Sequence, residues 1–262
     1  MANKILKVLV IGDTHDSPDI PDKSRFGWFA KHIRKTKPDF VVQIGDFATF
    51  DSCTHYIRDD SYTAKIDKPI FMKDIESLDS AMEEFKYHLK DFKVKKYLTL
   101  GNHERRMWRK EDSNPTFYGM CQKEFFGTCK KYDWEVIPYG KYLMLGGVGF
   151  IHAPINPMGK EYGGEASERQ VANKSKIDIV FGHSHRAQDN RVSKISPIKN
   201  DFTRIINVGC AMPHNHIESY AKHSLTGWTY QICELKIWDN HIQEVNNISM
   251  QTLERDYGKK KS

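Results

Sequence analysis

The sequence lacks a long apolar run, paired cysteines and a strong excess of one charge, and each absence excludes a class of protein. No stretch approaches the roughly 18 to 20 apolar residues of a membrane-spanning helix, so we expect no membrane partner. The apolar run at residues 5–11 is short, contains Lys7 and precedes no cleavage site, which indicates a first strand and not a signal peptide. A cytoplasmic protein is therefore expected.

The cysteines and the charge exclude further classes. Five cysteines are widely spread and none forms a CxxC pair, so neither a disulfide framework nor a thiolate zinc site is predicted. The net charge is +6, and removing three lysines at 259–261 from the 40 basic residues leaves 37, against 34 acidic ones. This excess is too small to predict a surface that coats nucleic acid. The basic tail at residues 256–262 is expected to be frayed.

The order of apolar segments predicts an α/β (α+β) chain that folds as one domain over residues 1–255. Hydrophobic residues make up 39% of the sequence, which is enough for one sizeable core. A strand at 5–11, apolar residues at helical spacing from Phe26 to Ile33, and a strand at 40–44 favour a parallel strand pair with a crossover helix. A loop at 51–69, a helix at 78–92, a strand at 96–100 and a helix at 117–130 are expected to follow.

The second half of the chain is predicted to be mostly β. Its strands are expected at residues 135–138, 142–145, 148–152, 177–181, 204–208, 229–238 and 242–248. Two packed sheets flanked by helices fit this order better than a single doubly wound sheet.

Polar residues recur at the points where the apolar strands stop. Five strand ends carry them: Asp13 and His15; Gly45 and Asp46; Gly101, Asn102, His103 and Glu104; His152; and Gly182, His183, Ser184 and His185. Because ligands gather beyond the carboxyl ends of strands in α/β sheets, these side chains are expected to share one cleft. Each segment alone is weak evidence, since a Gly-Asp after a strand is usually a turn. The prediction depends on the five together.

Imidazole, carboxylate and amide groups in one cleft predict a metal centre for the hydrolysis of phosphate esters. The reaction needs a nucleophilic hydroxide and cations that neutralise charge on phosphorus, and two ions roughly 3.5–4 Å apart can supply both. This donor set suits manganese, iron, zinc or nickel better than calcium, and we expect two divalent ions, with Mn²⁺ as the leading choice. Asp46 can bridge the ions because a carboxylate has two oxygens.

These five segments resemble the signature blocks of the calcineurin-like metallophosphoesterases, and all five are intact. The resemblance implies a four-layer α/β/β/α sandwich of two mixed sheets flanked by helices. It implies one ion on Asp13, His15, Asp46 and His185. It implies a second ion on Asp46, Asn102, His152 and His183. His103 is implied to be the general acid that protonates the leaving oxygen, and not a ligand.

Departures from the family pattern bear on the substrate. The protein Ser/Thr phosphatases of this family carry Asp-Arg-Gly soon after the second block, whereas residues 47–51 here read Phe-Ala-Thr-Phe-Asp. The phosphate-clamping arginine is therefore absent, which argues against a protein phosphatase. The aspartate that orients the catalytic histidine is also displaced, and Asp51 or Glu104 is predicted to substitute for it.

Further residues are candidates for binding the substrate. The polar candidates are Arg105, Arg106, Arg186, His214 and His216. A solvated helix start explains the first two arginines as well as phosphate binding does, and a polar loop explains the two histidines. Four aromatic residues could stack on a base: Tyr56, Trp108, Tyr162 and Trp228.

The leading hypothesis is a two-metal phosphodiesterase or nuclease-like enzyme that acts on a nucleotide or nucleic acid. Its support is the missing protein-phosphatase arginine and the small basic excess. A phosphomonoesterase that acts on a nucleotide or phosphoprotein is the alternative reaction. A protein-interaction scaffold that keeps the fold without the reaction is an alternative of another class, and the intact ligands argue against it. The sequence does not predict the oligomeric state.

Overall fold

The structure is a computed structural model in which residues 4–54, 70–164, 166–197, 201–214, 216–218, 221 and 227–258 are described. Most of the loop predicted at residues 51–69, including Tyr56, lies outside the described residues, and so do the lysines at 259–261. The described start of that loop is a 3₁₀ turn at Asp51–Cys53.

Helices and strands alternate through the first half of the chain, as predicted. The described residues form six α-helices: α1 (Ser24–Thr36), α2 (Phe71–Leu89), α3 (Arg105–Ser113), α4 (Met120–Lys131), α5 (Ser167–Lys174) and α6 (Met250–Tyr257). They also form eleven strands: β1 (Leu6–Ile11), β2 (Phe40–Gln43), β3 (Lys95–Thr99), β4 (Trp134–Ile137), β5 (Leu143–Leu145), β6 (Val148–Phe150), β7 (Ile179–Phe181), β8 (Ala187–Ser193), β9 (Phe202–Val208), β10 (Gln231–Trp238) and β11 (His241–Ser249).

The strands form two mixed sheets. The first sheet has the order β11-β10-β1-β2-β3-β4, in which β1 to β4 are parallel and β10 and β11 are antiparallel additions. The second sheet has the order β5-β6-β7-β9-β8, with β6, β7 and β9 parallel and an antiparallel strand at each edge. The carboxyl ends of neighbouring parallel strands therefore lie side by side in both sheets, where the following segments can meet.

Three clusters of buried apolar residues separate four layers. Beneath the helices of the first half, Leu9 of β1 packs in one cluster with Phe29 of α1. A second cluster lies between the sheets and contains Val10 of β1 and Val180 of β7. The third joins the second sheet to α5 through Val171. This is the four-layer α/β/β/α sandwich that the sequence predicted.

Strand β1 shows why the chain separates into these layers. Val8 and Val10 belong to the cluster between the sheets, whereas Leu9 and Ile11 belong to the cluster under the helices. Successive side chains of a strand point to opposite faces, so a strand that is buried on both faces needs a continuous apolar run. The run at residues 5–11 meets that requirement.

The predicted elements differ from the structure at helix ends and in polar segments. The helix predicted to reach residue 92 ends at Leu89, where Lys90 has a φ of 54° and breaks the helical conformation. Residue 117 lies in a 3₁₀ turn, Pro115–Phe117, and α4 begins only at Met120. Strand β8 and helices α3, α5 and α6 were not predicted as elements.

Helix α6 includes the first two residues of the predicted C-terminal tail. It continues to Tyr257, whose hydroxyl lies 3.1 Å from His32 Nδ1 of α1, so residues 256 and 257 are helical and not frayed. The five cysteines are buried and unpaired. Within the described ranges, no helix has the length and apolar content to span a membrane.

Candidate metal centre

The polar segments that follow the parallel strands are joined by main-chain hydrogen bonds. The amides of Thr14 and His15 donate to the carbonyl of Asp46 at 3.1 and 3.0 Å, which ties the segment after β1 to the segment after β2. The amide of Gly182 donates to the carbonyl of His152 at 2.9 Å, which ties the segments after β7 and β6. The sheet order thus brings the five predicted segments to one place.

Four of the predicted ligands adopt a backbone conformation that is uncommon for residues other than glycine. The φ values are 43° for His15, 49° for Asp46, 71° for His183 and 58° for His185. Such conformations cost of order 1–3 kcal/mol each and cluster at functional sites. The turns that aim these side chains therefore carry strain that the surrounding structure must offset.

Two glycines let the segments approach one another. A Cβ atom at Gly101 would clash with the side chain and amide nitrogen of Asp46. A Cβ atom at Gly182 would clash with the carboxylate of Asp13. These glycines are needed because backbone and ligand side chain pack in direct contact.

The first cluster contains Asp13, His15 and His185, all of which are buried. His15 Nε2 lies 3.0 Å from His185 Nε2, and His185 Nε2 lies 3.1 Å from Asp13 Oδ2. The three ligand atoms lie within 4.8 Å of one another, which is close enough to bind a single ion.

The second cluster contains Asp46, His152 and His183. Asn102 belongs with it, because its Oδ1 lies 3.0 Å from His152 Nε2 and 2.9 Å from His183 Nδ1. An amide oxygen between two imidazole nitrogens offers a further ligand atom. The seven predicted ligands thus all lie together at the centre.

Asp46 lies between the two clusters. Its Oδ2 is 3.7 Å from His15 Nε2 on one side and 3.3 Å from His152 Nε2 on the other. Its Oδ1 accepts a hydrogen bond of 2.8 Å from the amide of His103, which fixes the carboxylate. Distance alone also groups His103 with His15 and Asp46, since His103 Nε2 lies 4.0 Å from Asp46 Oδ2.

The donor set fits divalent metal ions. Asp13 Oδ1 is buried without a hydrogen-bond partner among the described residues, and a buried unpaired polar atom costs about 1–3 kcal/mol. Nitrogen ligands predominate and two carboxylates are present, a combination that suits transition metals better than calcium. A site built this way is stabilised by a cation at its centre.

The carboxylates and histidines shift one another's pKa values. Burial lowers the pKa of His152, but Asp46 and Asp13 outweigh burial and raise it to about 10. Burial lowers the pKa of His15 well below its ordinary value. Burial opposes the ionisation of Asp46, yet the charge of His152 holds its pKa well below the usual range. Ionised Asp46 and neutral His15 are the forms that bind metals.

His103 is held by groups that the sequence did not indicate. Its Nδ1 lies 3.1 Å from the carbonyl of Thr49, and a carbonyl only accepts, so Nδ1 carries the proton. Its Nε2 lies 3.2 Å from Arg106 Nη2 and accepts from it. Burial lowers the pKa of His103, in agreement with a neutral ring. These contacts correct the prediction that Asp51 or Glu104 orients this histidine.

The two predicted orienting carboxylates have other partners. Asp51 accepts from Arg106 Nη1 at 3.0 Å and is half-exposed, so it acts on Arg106 and not on the imidazole. Glu104 is buried and accepts from four main-chain amides, at 2.8 to 3.3 Å. The four amides belong to Gly101, Asp46, Phe47 and Ala48. Glu104 therefore fixes the backbone on both sides of the centre.

The predicted substrate residues lie in different surroundings. Arg106 is beside His103, and Arg105 lies on the surface with its guanidinium 4.7 Å from the centre of the Tyr139 ring. Arg186 donates to the carbonyl of Gly164 at 2.7 Å. His214 is 2.8 Å from the Gln251 amide nitrogen of α6, and His216 Nε2 lies 3.4 Å from Glu218 Oε1. Of these five, Arg106 has a direct contact with the proposed catalytic histidine.

The fold and this centre together define a metal-dependent phosphoesterase. The sequence matches the family model described as calcineurin-like phosphoesterase over residues 6–187, which is more than half of the chain. The chain belongs to this family, whose members are hydrolases that act on phosphoester bonds. The resemblance of the five segments is thereby confirmed.

Three solved structures are similar to the chain at low sequence identity. Vps29 from Entamoeba histolytica, complexed with Zn²⁺, is 11% identical, with 94% of this chain and 99% of that one covered and a TM-score of 0.35. The E. coli phosphoesterase YfcE is 13% identical, with 93% and 100% covered and a TM-score of 0.36. Vacuolar Protein Sorting 29 from Cryptosporidium parvum is 15% identical, with 94% and 98% covered and a TM-score of 0.41. No curated protein matches the sequence significantly.

Proposed function

We propose that the chain is a two-metal phosphodiesterase that acts on a nucleotide or nucleic acid. The observation that carries this proposal is the position of Asp46 Oδ2, between His15 Nε2 at 3.7 Å and His152 Nε2 at 3.3 Å. A carboxylate between two clusters of nitrogen and oxygen donors is suited to bridge two cations.

Two ions at this centre would share Asp46. One ion would be held by Asp13, His15, Asp46 and His185. The other would be held by Asp46, Asn102, His152 and His183. Two bound Mn²⁺ ions would neutralise charge on the phosphoryl group and activate water for attack. Iron, zinc and nickel are the other metals that this donor set accepts.

His103 serves as the general acid, and Arg106 controls its availability. The Arg106 guanidinium donates to Nε2, the nitrogen that must carry the transferred proton. An entering phosphate group competes for this guanidinium, since arginine binds phosphate oxygens in preference to a neutral ring. Release of Nε2 allows it to take up a proton and to donate that proton to the leaving oxygen. The Thr49 carbonyl keeps the ring in place throughout, through Nδ1.

The proposal of a diester substrate, and not a monoester, rests on the cationic groups near His103, where the phosphate group would bind. The arginine of the protein phosphatases is missing after the second segment, and Arg106 is the cation nearest to His103 among the described residues. A single guanidinium suits a diester, which carries one negative charge, better than a monoester dianion.

A substrate panel with Mn²⁺ tests the proposal. It contains bis(p-nitrophenyl) phosphate, p-nitrophenyl phosphate, cyclic nucleotides, and single- and double-stranded DNA. We expect kcat/KM to be higher for the diesters than for the monoester. A large preference for the monoester would instead indicate a phosphomonoesterase. Absence of both bound metal and hydrolysis after Mn²⁺ is added would favour a protein-interaction scaffold.

A further inference from the structure

The segment after β9 runs beside the first metal cluster and brings a further carboxylate to it. Cys210 forms a parallel β-bridge with Asp13, and the amide of Ala211 donates to the carbonyl of Asp13 at 2.8 Å. The segment then places Glu218 next to His15, with Oε1 3.8 Å from Nδ1. Glu218 lies outside the five segments that supply the predicted ligands.

The facing atoms of His15 and Glu218 are both unsatisfied. His15 Nδ1 and Glu218 Oε1 are buried and have no hydrogen-bond partner among the described residues. His216 Nε2 lies 3.4 Å from the same oxygen but does not form a hydrogen bond with it. The separation of 3.8 Å is longer than a formed hydrogen bond. Two unpaired buried atoms that face each other nevertheless point to a bond that a small movement would complete.

The other nitrogen of His15 faces the metal centre. Its Nε2 is 3.0 Å from His185 Nε2 and 3.7 Å from Asp46 Oδ2. The ring also packs edge-on against His103 and His185, with ring centres 4.4 and 4.8 Å away. Packing thus limits the position of the ring, while Nδ1 on its other side still needs an acceptor.

We propose that Glu218 is a positioning residue for the first metal site. Its carboxylate accepts a hydrogen bond from Nδ1–H of His15 when Nε2 binds a divalent ion. The bond fixes the ring orientation and keeps the proton on Nδ1, so the lone pair of Nε2 is free for the ion. This inference rests on the proposed two-metal site and extends it to a residue that no sequence pattern indicated.

The test compares Mn²⁺ binding by the metal-free wild type and Glu218→Gln, measured by calorimetric titration. The variant keeps the size of the side chain but accepts a hydrogen bond more weakly. We expect two ions to bind, with one site weakened about 10- to 100-fold. Unchanged affinity at both sites would overturn the proposal. Binding of a single ion would also overturn it, because Glu218 would then be a ligand. A wild type that binds no Mn²⁺ would count against the proposed function itself.

Two further variants separate positioning from a general effect on the fold. Glu234→Gln is the matched control, since Glu234 pairs with His32 at 3.0 Å outside the metal centre, and it should leave Mn²⁺ affinity unchanged. The metal-free Glu218→Gln protein should melt within about 2 °C of the wild type, because the bond forms only with the ion. In a His15→Ala background, Glu218→Gln should weaken binding no further. Additive losses in the double variant would contradict an action through His15.

Discussion

At the scale of single residues, the centre depends on side chains that fix the backbone as much as on the ligands. Glu104 is the clearest case, because one buried carboxylate accepts from four main-chain amides around Asp46 and Gly101. The reverse also occurs, since the main-chain carbonyl of Thr49 holds the side chain of His103. Neither role follows from a sequence motif: Glu104 was noticed for its position in Gly101–Glu104 but was assigned the wrong partner.

Replacing Glu104 by glutamine should destabilise the fold. Burial raises the pKa of Glu104 to about 7, so at pH 8 the side chain is the ionised acceptor. A glutamine amide group would face main-chain N–H donors, and we expect the free energy of unfolding to fall by about 2–4 kcal/mol. Urea denaturation of the metal-free protein at pH 8 measures this. Exposed Glu135→Gln is the control, and an equal effect of both variants would contradict the assigned role.

His103→Ala should keep both metal ions and lose turnover selectively. We expect kcat on esters with poor leaving groups to fall by at least about 10²-fold, because their oxygen needs a proton. A nitrophenyl ester, whose leaving group needs none, should lose much less. Metal content and both rates are measured on the same preparation. Equal losses on the two substrates would argue against an acid role, and loss of an ion would make His103 a ligand.

The pKa of His152 predicts that metal binding depends on pH. Because Asp46 and Asp13 raise this pKa to about 10, His152 carries a proton at neutral pH until an ion displaces it. Affinity should therefore rise with pH up to about 10, by roughly tenfold per unit where one proton is released. Calorimetry in buffers of different ionisation enthalpy counts the protons. Affinity that stays constant from pH 6 to 9 would contradict the assignment.

At the scale of secondary-structure elements, the sequence predicted those that contribute an apolar face to a core. β1, α1, β2 and α2 each do so, and their positions were predicted to within a few residues except at the ends of α2. Two of the missed elements, α3 and β8, bury little: among the apolar residues of α3 only Met107 is buried, and β8 is a partly exposed edge strand of sequence AQDNRVS. Periodicity cannot reveal an element that has no apolar face.

Asp178 joins the two sheets away from the metal centre. Its carboxylate accepts from the amide of Arg204 in β9 at 2.7 Å and from the amide of Ile242 in β11 at 2.9 Å. Asp178→Ala should lower the free energy of unfolding by about 2–4 kcal/mol, since both buried amides lose their acceptor. Asp189→Ala, which removes a partly exposed partner of Arg204, should cost less than about 1 kcal/mol. Chemical denaturation measures the free energy of unfolding of both variants. Equal losses in the two would refute the role of Asp178 in joining the sheets.

At the scale of the whole molecule, the sequence predicted which side chains gather at the centre but not the residues that surround them. Five segments spread over residues 13–185 converge because the parallel strands before them are neighbours. No sequence pattern indicates Glu218 or Thr49, because their roles come only from packing. The substrate, the single domain at 1–255 and the cytoplasmic location stay predictions. The substrate depends on the loops around the centre. Neither those loops nor the environment of the protein in the cell is indicated by hydrophobic periodicity.

Metal titration of Asp46→Asn tests most directly whether two metal ions share Asp46. The wild type, freed of metal and titrated with Mn²⁺, should bind two ions per chain. Asp46→Asn should weaken both sites together, because the bridging carboxylate loses a charged oxygen that each ion uses. Loss of affinity at one site only, or unchanged binding at both, would contradict the shared ligand.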